Sequence, residues 1–219
     1  MKVANITVLA QELPMYHGER FNSISHLLGA IAGLVGLIVL VVLAVEQGDP
    51  WKIISFSVYG TSLFFLYFIS TLYHSWRGKG KDFLRMLDYQ GVYLLIAGTY
   101  TPFTLVTLHG WLGWTIFAAV WFLAIIGIVL DAMPAKGGRV IQLILYLVMG
   151  WMIVVAFKSL WLILTPTGVM WLFIGGVLYT VGVIFFVFDE KVKHFHGIWH
   201  LFVLAGSVTH YFTVLHYVL

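Results

Sequence analysis

Residues 22–45 read NSISHLLGAIAGLVGLIVLVVLAV, an unbroken run without Asp, Glu, Lys or Arg, closed by Glu46-Gln47-Gly48-Asp49-Pro50. A helix that crosses a bilayer needs about 20 consecutive, mostly apolar residues, so this stretch is long enough to span. Sparsely charged runs of similar length follow at 51–75, 84–107, 111–131, 140–162, 168–188 and 196–218, divided by punctuation such as Pro134-Ala135-Lys136-Gly137-Gly138. In lipid every backbone polar group must be paired within the protein, which leaves helices or closed barrels. The period-two alternation of a barrel strand is absent. The predicted fold class is therefore all-α, a polytopic membrane protein built as a seven-transmembrane helix bundle. A short cytoplasmic N-terminal segment is expected at 1–20 and a single membrane domain at 21–219.

Composition agrees. Of 219 residues 61% are hydrophobic and only 10% charged, against roughly 25% charged in a soluble domain. Seven spans leave no room for a second soluble domain. The net charge of +3 is no nucleic-acid signature, because the basic residues fall between spans, and no nucleic-acid partner is expected. The absence of cysteine excludes disulfides and thiolate metal sites. No internal repeat stands out, so the inverted-repeat transporter architectures gain no support. Lys2, Glu12, Glu19 and Arg20 precede a run long enough to stay in the membrane, so no cleavable signal peptide is expected.

Lys and Arg set the orientation. Lys2, Arg20, Arg77, Lys79, Lys81, Arg85, Lys136, Arg139, Lys191 and Lys193 fall on one side, and only Lys52 and Lys158 on the other. By the positive-inside rule the N-terminus is predicted in the cytoplasm and the C-terminus outside. Trp51, Trp76, Trp111, Trp161 and Trp171, near span ends, read as interfacial anchors. Gly29, Gly33 and Gly36 read as close-packing positions of the first span, and Pro102 as a kink in the third.

This orientation gathers the rare polar residues at one depth. His74 ends the second span, with Ser70 one turn deeper. Asp88 lies one turn into the third span, His196 and His200 in the first two turns of the seventh, and His26 at the same level of the first. Catalytic zinc commonly takes three protein ligands and a water. Residues four apart on a helix have Cβ atoms about 5–6 Å apart, so His196 and His200 can chelate one ion and His74 can supply a third nitrogen. The water would then have a pKa near 7 instead of about 15.7. Asp88 would accept a hydrogen bond from it and act as general base, while Ser70 would orient a ligand or donate to an oxyanion. A carboxylate in a span costs about 2.5–3.5 kcal/mol on insertion scales, so it needs a polar neighbour.

Plainer readings stand beside these. Two histidines four apart arise by chance, a histidine near an interface is often only interfacial, and Asp88 could pair with Arg85 or Lys81. His26 reads as a packing residue behind a ligand. His210 and His216 are too far along their helix to join the same ion, and His17, His109 and His194 read as loop residues.

Ser70-Thr-Leu-Tyr-His74, Leu87-Asp88-Tyr89 and His196-Gly-Ile-Trp-His200, in that order, resemble the signature of the progestin and adipoQ receptor superfamily. Glu19-Arg-Phe-Asn22-Ser-Ile-Ser-His26 is similar to its bacterial, haemolysin-III-like branch. The resemblance covers about 20–218 and implies Zn2+ held by His74, His196 and His200, with Asp88 beside the zinc-bound water. It also implies a multi-pass protein of the inner membrane of a bacterium. Through the related alkaline ceramidases it implies hydrolysis of a lipid amide or ester, with membrane lipid as substrate, reached sideways from the inner leaflet, and a part in membrane-lipid homeostasis. Hormone-receptor members carry a long cytoplasmic N-terminal domain where this sequence has about 20 residues, so no protein hormone is expected as partner.

Three functions follow: a zinc-dependent lipid hydrolase, a membrane-lytic protein with structural zinc, or an ion or proton channel using Thr99, Thr101, Thr104, Thr209, His210 and Lys158. The sequence leaves substrate and oligomeric state open.

Overall fold

A computed structural model of the chain describes residues 19–133 and 139–219. The readings on Lys2, Glu12, His17 and 134–138, and most of the 1–20 segment, lie outside the described residues. The chain forms α1 (Glu19–Gln47), α2 (Pro50–Ser75), α3 (Lys81–Pro102) continued by a π-helix over Phe103–Leu108, and α4 (Gly110–Ala132). Then come α5 (Arg139–Trp151), a 3-10 turn over Met152–Ala156, α6 (Phe157–Ile163), α7 (Pro166–Val187) and α8 (Phe195–Tyr217). Seven segments are long and apolar enough to cross a membrane, the third being α3 with its π-helix and the fifth running from α5 through α6. Each predicted span meets one of them, and the described residues include no strand.

Local chemistry sets the boundaries. Asp49 accepts from the backbone N–H of Trp51 at 2.9 Å and places Pro50 at the first position of α2, where no N–H is needed. Thr165 does the same for α7, accepting from Gly168 at 3.3 Å ahead of Pro166. At Pro102 the α-helical winding changes to π, so the expected kink takes the form of a wider turn. The fifth span tightens to a 3-10 turn opposite, and Tyr100 serves its backbone there. Its hydroxyl donates to the carbonyl of Gly150 at 2.9 Å and accepts from the N–H of Ile153 at 2.8 Å.

Packing follows the small residues. A Cβ at Gly33 would stand 3.4 Å from the backbone of Phe64, so α1 and α2 meet backbone to backbone. Outward, α1 shows Ile24, Leu28, Ile31, Val35 and Ile38, as a lipid-facing surface requires, and the five predicted tryptophan anchors are all exposed. Tyr59, Tyr67, Tyr93, Phe56 and Met149 fill the interior, together with the histidines His26, His74, His200 and His210.

Candidate metal centre

Two elements supply the centre. His74 occupies the last turn of α2 and is 3% exposed. His196 and His200 occupy the first two turns of α8, which starts after His194 turns the chain in the left-handed region (φ 71°). His200 is buried and His196 half-buried. One ligand nitrogen from each of His74, His196 and His200 lies within 4.8 Å of the others.

What lies behind each ring fixes which nitrogen faces inward. His74 Nδ1 bonds to a carboxylate oxygen of Glu19, and His196 Nδ1 to Asp189 Oδ2 at 2.6 Å. A carboxylate only accepts, so both Nδ1 atoms carry a proton, and in the neutral ring Nε2 keeps its lone pair. Those two Nε2 atoms lie 3.4 Å apart. Two lone pairs at that distance repel unless a proton or a metal cation sits between them. With Zn–N bonds of about 2.0–2.1 Å, adjacent corners of a tetrahedron stand about 3.3–3.4 Å apart, so the pair fits a shared zinc. His200 Nδ1 makes a longer contact, 3.5 Å, to Ser25 Oγ, which donates to the carbonyl of Asn22 at 2.9 Å.

The carboxylates are themselves held. Lys81 Nζ reaches Glu19 at 3.3 Å, and Arg139 joins Asp189 at 2.8 Å and Glu190 at 3.1 Å. Burial pushes the Asp189 carboxyl up, but the bonds from His196 and Arg139 prevail and hold it below the usual carboxylate range. Sequence reasoning missed both acids as site residues. Glu19 had a signal, since it opens the quoted segment that ends at His26. Asp189, in the loop before α8, carries no spacing or motif that sets it apart from a solvated charge.

Asp88 and Ser70 are buried. The ion pairs considered for Asp88 do not form: Arg85 pairs with Asp82 at 3.1 Å, and Lys81 with Glu19. Asp88 and Ser70 line a cavity of about 30 Å³ together with His26, Tyr89, His196 and His200. A cavity holds a water once it exceeds roughly 10–15 Å³. His26 is no member of the ligand cluster; its ring stacks on that of His200, centroids 3.7 Å apart, as a packing residue would.

Larger spaces flank this cavity. At the end carrying Lys81, Arg139 and Lys193, a chamber of about 540 Å³ is lined by Glu19, Tyr73, His74, Arg139, Asp189 and His196 among others. On the other side, Leu66, Val92, Tyr146, Trp199 and Val203 wall both the Asp88 cavity and a mostly apolar space of about 100 Å³. That space in turn shares Thr99, Tyr100, Gly150, Trp151, Gly176 and His210 with a third, of about 440 Å³. His210 lies ten residues beyond His200, roughly 15 Å along α8, with Nε2 donating to the carbonyl of Leu172 at 3.0 Å.

The hydroxyls considered for a conducting path are turned to their own helices. Thr99 donates to Leu95, Thr101 to Ala97, Thr104 to Tyr100 and Thr209 to Ala205, at 2.7–2.9 Å.

The comparisons with known proteins agree with this architecture. The family described as Haemolysin-III related matches residues 15–211. Hemolysin-3 of Bacillus cereus is 47% identical over 202 residues, 92% of each chain. The Hemolysin-3 homolog of Bacillus subtilis (strain 168) is 43% identical over 200 residues, 91% of this chain and 93% of the relative. The human Monocyte to macrophage differentiation factor is 29% identical over 213 residues, 93% of this chain and 86% of the relative. With nearly its whole length matched, the chain belongs to the haemolysin-III related family, within the progestin and adipoQ receptor superfamily.

Proposed function

We propose that this protein is a zinc-dependent hydrolase of lipid amide or ester bonds, acting in the inner membrane of a bacterium with its centre near the cytoplasmic leaflet. The observation that carries the reading is the approach of His74 Nε2 and His196 Nε2 to 3.4 Å with each ring's Nδ1 bonded to a carboxylate, beside a buried carboxylate that lines a water-sized cavity. His74, His196 and His200 would hold the metal through their inward nitrogens. A zinc bound there supplies Lewis acidity for a carbonyl oxygen and lowers the pKa of a water to about 7. Asp88 would take a proton from a water in the cavity it lines and return it to the departing amine or alcohol, as general base and then general acid. Ser70, beside Asp88, directs the carboxylate or donates to the carbonyl oxygen as charge develops on it.

The space walled by Leu66, Val92 and Trp199 beside the Asp88 cavity, and the one that continues from it, suit the substrate. They are mostly apolar and run away from the basic end, so they accept an acyl chain whose carbonyl rests by Asp88. The polar chamber at the basic end accepts the headgroup and releases the water-soluble product. The positive-inside bias supports a cytoplasmic position for that chamber and for the N-terminus. Lipid access from the inner leaflet therefore delivers the headgroup side, with the tail extending toward the outer leaflet.

The name of the Bacillus cereus relative, Hemolysin-3, favours a second reading, a membrane-lytic protein in which the metal only braces the bundle. A panel of acyl-amide and acyl-ester lipids offered to purified protein and to Asp88→Ala separates the two. Product formed by the first and not the second supports hydrolysis; no product from any lipid rejects it.

A further inference from the structure

The first helix supplies no ligand to the candidate metal centre, yet it touches the rings from behind. Glu19 bonds to His74 Nδ1 and Ser25 lies against His200 Nδ1. Asp189, from the loop ahead of α8, completes the set on His196. Both acids are anchored on their far side by a cation from another span, Lys81 of α3 for Glu19 and Arg139 of α5 for Asp189.

We propose that Glu19 and Asp189 are positioning residues for the metal, two parallel cation–carboxylate–imidazole clamps that set its affinity. Each fixes the tautomer, so that Nε2 presents a lone pair, and each fixes the tilt of the ring. A carboxylate behind an imidazole also makes the inward nitrogen a stronger donor. Without them His74 and His196 are free to turn or to carry the proton on Nε2, where it blocks ligation. The clamps reach the centre from α1, α3, α5 and the α7–α8 loop, so four segments that supply no ligand determine how well two ligands bind. The inference rests on the zinc reading, but it concerns affinity and not turnover.

The test uses purified full-length protein, stripped of metal, titrated with zinc ions alone against a chelator of known affinity. Removing such partners weakens metal binding about 10–100-fold. That loss is expected for Glu19→Ala and for Asp189→Ala. Glu19→Gln and Asp189→Asn keep an oxygen that accepts the Nδ1 proton, and they are expected to recover most of it. Glu190→Ala is the control, since Glu190 pairs with Arg139 through an exposed side chain; its affinity is expected to match that of the unaltered protein. Thermal melting of the metal-free forms shows whether each variant folds, and the Gln and Asn variants keep the test open if an Ala variant does not. Affinity within twofold of the unaltered protein in the folded Ala variants would overturn the clamps and leave the zinc reading standing. Equal losses in Glu190→Ala, or no recovery in Gln and Asn, would also overturn them. Failure of the unaltered protein to bind zinc at all would overturn both.

Discussion

His74 Nε2 and His196 Nε2 face each other across 3.4 Å, from helices whose relevant residues lie 122 positions apart in the chain. Each ring has its Nδ1 tied to a carboxylate, which in the neutral imidazole leaves Nε2 as the acceptor. The relationship belongs to the fold and not to either motif: it needs the end of α2 and the start of α8 at the same depth.

Asp88 is separable from the ligands. Asp88→Ala is expected to retain zinc, because no ligand nitrogen is lost, while lipid turnover falls by about 10²–10⁴-fold, the usual contribution of a general acid–base group. Metal content and product formation measured on one preparation check both halves.

Gly150 tests the passage. It lines both larger apolar spaces, and no atom lies within 4 Å of where its Cβ would stand. Gly150→Leu is therefore expected to fold and to hold metal, but to fill the passage. Excluding even two methylenes, at about 0.8 kcal/mol each, amounts to about tenfold. Turnover of long-chain substrates should fall by that factor or more, with short-chain turnover retained.

Gly29 tests the packing behind the centre. Its Cβ would fall 2.8 Å from the ring of Tyr67 and 2.8 Å from Leu204, and Tyr67 in turn packs edge-on against His26. Overpacking of this kind costs about 1–3 kcal/mol, against a helix-propensity gain of about 1 kcal/mol for Gly→Ala. The crowding prevails, and Gly29→Ala is expected to lower the melting temperature in detergent.

Lysis separates the two functions. Lysis that comes from hydrolysis is expected to disappear from red cells treated with Asp88→Ala or with metal-stripped protein. Lysis at full strength from folded Asp88→Ala would favour the purely membrane-disruptive reading.

Much of this was legible in the sequence, for physical reasons. Lipid forces long apolar helices, so seven spans could be counted from runs such as 22–45, and the basic residues located one end of them. The shared depth of His74, His196 and His200 followed from alternating the direction of the spans. The roles of Glu19 and Asp189 did not follow, because acids at span ends look like solvated charge until tertiary packing sets an imidazole against them. The irregular windings after Pro102 and over Met152–Ala156 were equally hidden. Proline signalled the first only as a kink, and nothing in Met152-Ile-Val-Val-Ala156 distinguishes a 3-10 turn from an α-helix. The chain of apolar spaces, built from side chains of several helices, had no sequence signature.

The most direct test of the central claim is elemental mass spectrometry of purified, detergent-solubilised protein never exposed to chelator, beside a His196→Ala/His200→Ala variant. About one zinc per chain is expected in the first and none in the second. Absence of zinc from both, or equal zinc in both, would contradict that claim.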